Sequence, residues 1–88
     1  MEINIKSLKF DADTKLVEYV EKKVSRLEKY FDNTCAAEVV LSLLNEPEGK
    51  NVLLRIHIPG EDLVIERSAK TFEAAVTECV DLMKEKLG

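Results

Sequence analysis

The chain predicts an α+β fold, a two-layer sandwich of order β-α-β-β-β-α with a four-stranded sheet and two helices packed on one face. Three observations predict it. Apolar residues recur with a period of two in four short stretches and at helical spacing in two longer ones. Short turns bearing Asn, Pro and Gly join the last three strand stretches, which pairs them antiparallel. Two amphipathic helices then need one sheet face against which to bury their stripes.

Taken in order, Glu2 to Lys9 alternates, with Ile3 and Ile5 on one side and Glu2, Asn4 and Lys6 on the other. Asp11-Ala12-Asp13-Thr14 offers a helix start, and Asp13 is the best N-cap because its carboxylate can accept the orphan amides of the first turn. A single long helix follows, from about Thr14 to Tyr30 or Phe31. Its buried stripe is Leu16, Val20, Val24, Leu27 and Phe31. Asp32-Asn33-Thr34 stops it, since short polar side chains compete for the backbone.

From Cys35 the period returns to two. Val39, Leu41 and Leu43 share a face, with Glu38, Val40 and Ser42 opposite. Asn45 to Lys50 is a turn by composition. The third strand shows Val52, Leu54, Ile56 and Ile58 on one face and Leu53, Arg55 and His57 on its reverse. Pro59-Gly60-Glu61-Asp62 makes a tight turn, and Leu63 to Ser68 is the fourth strand. The last helix runs from about Thr71 to Leu87 with a stripe of Phe72, Val76, Cys79, Val80, Met83 and Leu87.

Composition bounds the function. The 88 residues make one small domain, residues 1–88, and 45% hydrophobic with 34% charged is the balance of a folded globular chain. No apolar run approaches the ~18 residues of a membrane span, and Met1 leads straight into a strand pattern without a leader, so a cytoplasmic address is expected. Cys35 and Cys79 fit neither a disulfide framework nor a metal-ligand spacing, and Cys79 continues an apolar stripe as a buried, inert thiol. His57, the only histidine, reads as a solvent-facing strand residue. Asp11 and Asp13 read as turn and cap, and the three glycines form no phosphate loop. No enzyme, metal or cofactor is expected.

The formal charge of −4 argues against a general nucleic-acid binder, so such a role must rest on local charge separation. At about 100° per residue, Lys15, Lys22, Lys23, Arg26 and Lys29 occupy an arc of about 120°, with Tyr19 and Tyr30 inside it. Glu18, Glu21 and Glu28 lie on the other flank. This is a surface for an anion. The competing reading is an ordinary solvated face with ion pairs such as Glu18 to Lys22. Tyr19 and Tyr30 either stack on bases or, as the commoner arrangement, pack their rings on the core. On the sheet's reverse face Val40, Leu44, Leu53 and Val64 stand among Arg55, His57, Glu38 and Glu66, a contact surface for another protein or a second copy in a weak homodimer.

The stretch MEINIKSLKFDADTKLVEYVEKKVSRLEKYFD, then VVLSL, a strand ending HIPG, and AKTFEAAV together resemble the ribosome hibernation-promoting factors, also called ribosome-associated inhibitors or sigma modulation proteins. The likeness covers nearly the whole chain. It rests on the opening M-x-I-N-I, the helix text YVEKKVSRLEKYFD and the PG turn. It implies a domain akin in topology to double-stranded RNA-binding domains, seated in the decoding channel of the small subunit on 16S rRNA, which stalls translation under stress or in stationary phase. It further implies RNA-backbone contacts through Lys23, Arg26 and Lys29 of the first helix and Lys84 of the second. The chain departs from that family where its last turn reads Met83-Lys84-Glu85-Lys86-Leu87-Gly88 in place of a basic stretch.

The expected function is therefore a small-subunit binder acting by steric occupancy. Lys22, Lys23, Arg26 and Lys29 would grip RNA, helped by Lys84 and Lys86, with Lys6 and Lys9 as further candidates. The alternative is a protein-interaction module working through Val40, Leu53 and Val64 without ribosome binding.

Overall fold

In the computed structural model, which describes residues 2–30 and 35–87, four strands form one sheet in the order β1-β2-β3-β4. They are β1 (Glu2–Ser7), β2 (Ala36–Leu43), β3 (Lys50–Ile58) and β4 (Glu61–Ala69). β1 pairs parallel to β2 through a helical crossover, whereas β2-β3 and β3-β4 are antiparallel. The helices are α1 (Thr14–Ser25), continued by a 3-10 turn (Arg26–Tyr30), and α2 (Phe72–Leu87). Both run opposite to the strand before them. β1, β2 and β4 point the same way, so α1 and α2 are parallel and end at the same side of the layer.

The core lies between helices and sheet. Val20, Val24 and Leu27 meet Val39, Leu41, Val52, Leu54 and Ile56 across it, closed by Val76, Cys79, Val80 and Met83, all buried. Of the period-two residues named on one face of β2 and β3, Val39, Leu41, Val52, Leu54 and Ile56 are buried and Ile58 is half-buried. Asp13 caps α1: its backbone is extended, and its carboxylate accepts the Leu16 amide at 2.7 Å. Thr71 does the same for α2, accepting the Ala74 amide at 3.1 Å.

Four expectations are corrected. The first helix is not one α-helix. At Ser25 the hydroxyl bonds back to the Lys22 carbonyl at 2.8 Å, and the Arg26 amide reaches Lys23, three residues back, so the chain tightens into 3-10 form. The turn between β3 and β4 is two residues, with Ile58 paired to Glu61, so Glu61 and Asp62 belong to β4. Leu43 keeps the inner-face parity but lies beyond the cover of the helices and is 47% exposed. Leu44 has left β2 altogether and enters the turn, where its amide donates to the Gly49 carbonyl at 2.7 Å. The helix stop at Asp32-Asn33-Thr34, and the places of Phe31 and Leu87 in the two stripes, lie outside the described residues and side chains.

Candidate nucleic-acid interface

The orientation of α1 is fixed by what stands on either side of its buried stripe. Thr77 on α2 donates to the Glu73 carbonyl at 2.9 Å, so the Tyr19 hydroxyl, 3.2 Å from Thr77 Oγ1, is the donor of that pair. Tyr19 is thereby half-buried between the helices. This turns the flank bearing Lys15, Lys23, Arg26 and Lys29 toward α2 and solvent, and the flank bearing Glu18 and Glu21 toward β1, with Lys22 at the border, lining the β1-side cleft beside those two glutamates. The Lys23 ammonium stands 5.7 Å from the Tyr19 ring centroid, and that of Lys29 stands 5.4 Å from the ring of Tyr30. Each tyrosine thus carries a cation.

The 3-10 turn sharpens the ridge. In that form residues three apart eclipse, so Arg26 and Lys29 stand one above the other. A continued α-helix would have offset them by about 60°. Among the described residues none of the five cations forms an ion pair with a carboxylate, and the Glu18–Lys22 pair of the competing reading is not made. Their charge is therefore available to an external anion. Lysines near helix C-termini also oppose the negative end of the helix dipole.

Lys84 lies two turns beyond Thr77 on the α1-facing flank of α2, half-buried, and extends the ridge across the helix pair. The structure does not bring Lys86 there. It lies on the opposite flank, lining a cleft with Val64, Arg67, Leu82 and Glu85. Lys6 pairs with Val40 on the outer sheet face, and Lys9 sits in the β1–α1 loop at φ 65°, so neither joins the ridge.

On the outer face the register sets Val40 beside Leu53 and Val64 beside Arg55. Val64 is exposed, and the other two are half-buried. Glu66 flanks Leu53 and accepts from Asn51 at 2.9 Å, so the apolar group is small and bounded by charge. Three contacts escaped the sequence. His57 bonds Asp62 at 2.6 Å across β3 and β4, an arrangement legible only once the turn length is known. Phe10 stacks on Phe72 at 5.1 Å and 9°, although nothing periodic marks a loop residue as core. Tyr19 and Thr77 meet across 58 residues.

The profile of the family described as sigma 54 modulation protein / S30EA ribosomal protein matches residues 3–88. The chain belongs to that family. Among S30EA-family relatives it is similar to the ribosome hibernation promoting factor of Azotobacter vinelandii, with 30% identity over 87 residues covering 99% of this chain and 76% of the relative. It is 29% identical over 89 residues to the ribosome hibernation promotion factor of Bacillus subtilis, of which it spans 44%. The fold matches the N-terminal domain of Thermus thermophilus Protein Y at a TM-score of 0.84 with 27% identity, covering 99% of this chain and 96% of that one. A ribosomal subunit interface protein from Coxiella burnetii shares the fold at 0.83 with 17% identity, over 99% and 93% of the chains.

Proposed function

We propose that this chain binds the small ribosomal subunit and blocks its mRNA and tRNA sites by occupancy. On this reading Lys22, Lys23, Arg26, Lys29 and Lys84 hold the rRNA backbone in the decoding channel, under stress or in stationary phase, without chemistry. The observation that carries it is the row of cations on one flank of an anionic molecule, without a carboxylate partner among the described residues. The names of the relatives, both ribosome hibernation factors, support the same reading. Backbone contacts of this kind fix position on RNA, while shape complementarity in a channel supplies selectivity. Lysines act here as point charges and Arg26 as a planar fork.

Reversing Lys23→Glu, Arg26→Glu and Lys29→Glu together tests it. All three side chains stand outside the core, so the fold should persist, and cosedimentation with purified small subunits should be lost. Cosedimentation like that of the unaltered chain overturns the interface.

A further inference from the structure

The two edges of the sheet are treated differently. At β4 the Arg67 guanidinium folds back and donates to the Glu66 carbonyl oxygen at 2.8 Å, and charged side chains over an edge in this way oppose further strand pairing. β1 has no such guard. The Leu8 amide donates to the Leu41 carbonyl at 2.9 Å, and in a parallel ladder alternate residues direct both backbone groups to the same side. Glu2, Asn4 and Lys6 therefore point their amides and carbonyls at β2. Ile3, Ile5 and Ser7 point theirs outward, where no hydrogen bond from the described residues meets them.

Over that edge hangs the other flank of α1. A cleft of about 420 Å³ runs between helix and strand, lined by Ile3, Glu18, Glu21, Lys22 and Ser25. Two carboxylates face one ammonium there, and among the described residues neither Glu18 nor Glu21 is held in an ion pair. The site thus combines a row of unmet backbone groups, an apolar side chain at its floor and an acidic wall.

We propose that the β1 edge is a docking groove for an extended cationic polypeptide, added as a fifth strand along Ile3, Ile5 and Ser7 with its lysines or arginines against Glu18 and Glu21. Main-chain hydrogen bonds supply the attachment, and alternate side chains supply the choice of partner. The carboxylates repel an RNA strand and leave an uncharged peptide without a counterpart. A second copy of this chain is disfavoured by its own net charge of −4. Of the ridge cations only Lys22, at the border, lines the groove, so the inference goes beyond ribosome binding and does not rest on it.

The test uses the full chain and a capped, fluorescein-labelled peptide alternating lysine and valine over 6 residues, the length of β1. Anisotropy should show saturable binding, and hydrogen exchange by NMR should show the Ile3, Ile5 and Ser7 amides slowed when the peptide is bound. Glu18→Lys with Glu21→Lys should weaken binding about tenfold, the worth of two surface ion pairs. Glu78→Lys with Asp81→Lys, the same charge change on the solvent face of α2, should leave it nearly unaltered. Binding without slowed exchange at those three amides overturns the proposal, as do equal losses in both double variants or no binding at all. Cosedimentation of the Glu18→Lys, Glu21→Lys protein with small subunits reports separately on the ridge.

Discussion

At Gly49 an added Cβ would overlap the Leu44 carbonyl oxygen and stand 2.7 Å from that of Glu46, both of them backbone atoms that cannot swing aside. Gly49→Ala should therefore cost about 1–3 kcal/mol, read as a lowered urea midpoint with an unchanged slope. Gly60 is required for a different reason: its φ of +90° follows Pro59 in a two-residue turn that has ample room but the wrong backbone region for an L side chain. Cys79 tests burial by titration. Its thiol donates to the Val52 carbonyl at 3.5 Å, and burial pushes its pKa from 9.0 up to about 11. The folded chain holds that proton more tightly than the unfolded chain. The contribution is full below about pH 9 and lost as pH rises toward 11. Between those limits the unaltered protein should lose on the order of 2 kcal/mol relative to Cys79→Val, measured by urea unfolding at a series of pH values.

Among the elements, the helix starts were the most legible part of the chain. Asp13 was recognisable because a carboxylate just ahead of an apolar period has one common use, and Asp13→Ala should cost about 1 kcal/mol in urea unfolding. Strand faces were equally readable, since a period of two leaves little choice once Val39, Leu41, Val52, Leu54 and Ile56 are seen. The end of the first helix was not. Five residues cannot distinguish a period of 3.0 from one of 3.6, and Leu27 is core in either, so the 3-10 turn left no mark in the pattern. The cations of the ridge were visible as an arc, but their freedom from carboxylates was not. Nor was the loss of Lys86 to the opposite flank, because that depends on how α2 is rolled against the sheet.

For the whole molecule, charge is partitioned by α1 itself, with Lys15, Lys23, Arg26 and Lys29 on the side of α2, Glu18 and Glu21 on the side of β1, and Lys22 between them. If about five phosphates are neutralised, the logarithm of the affinity for small subunits should fall with the logarithm of salt concentration at a slope of about −4. Sedimentation across a salt series checks this, and a flat dependence would contradict a phosphate-held complex. Sheet order carries one more implication, about the path to the native state. β2, β3, β4 and α2 are neighbours both in sequence and in space, so they can assemble through short loop closures. β1 must wait for the whole crossover, since Glu2 finds Ala36 only after the intervening chain has closed on itself. Substitutions in β1 should consequently accelerate unfolding while leaving the refolding rate nearly untouched, and its strand should be the last to join.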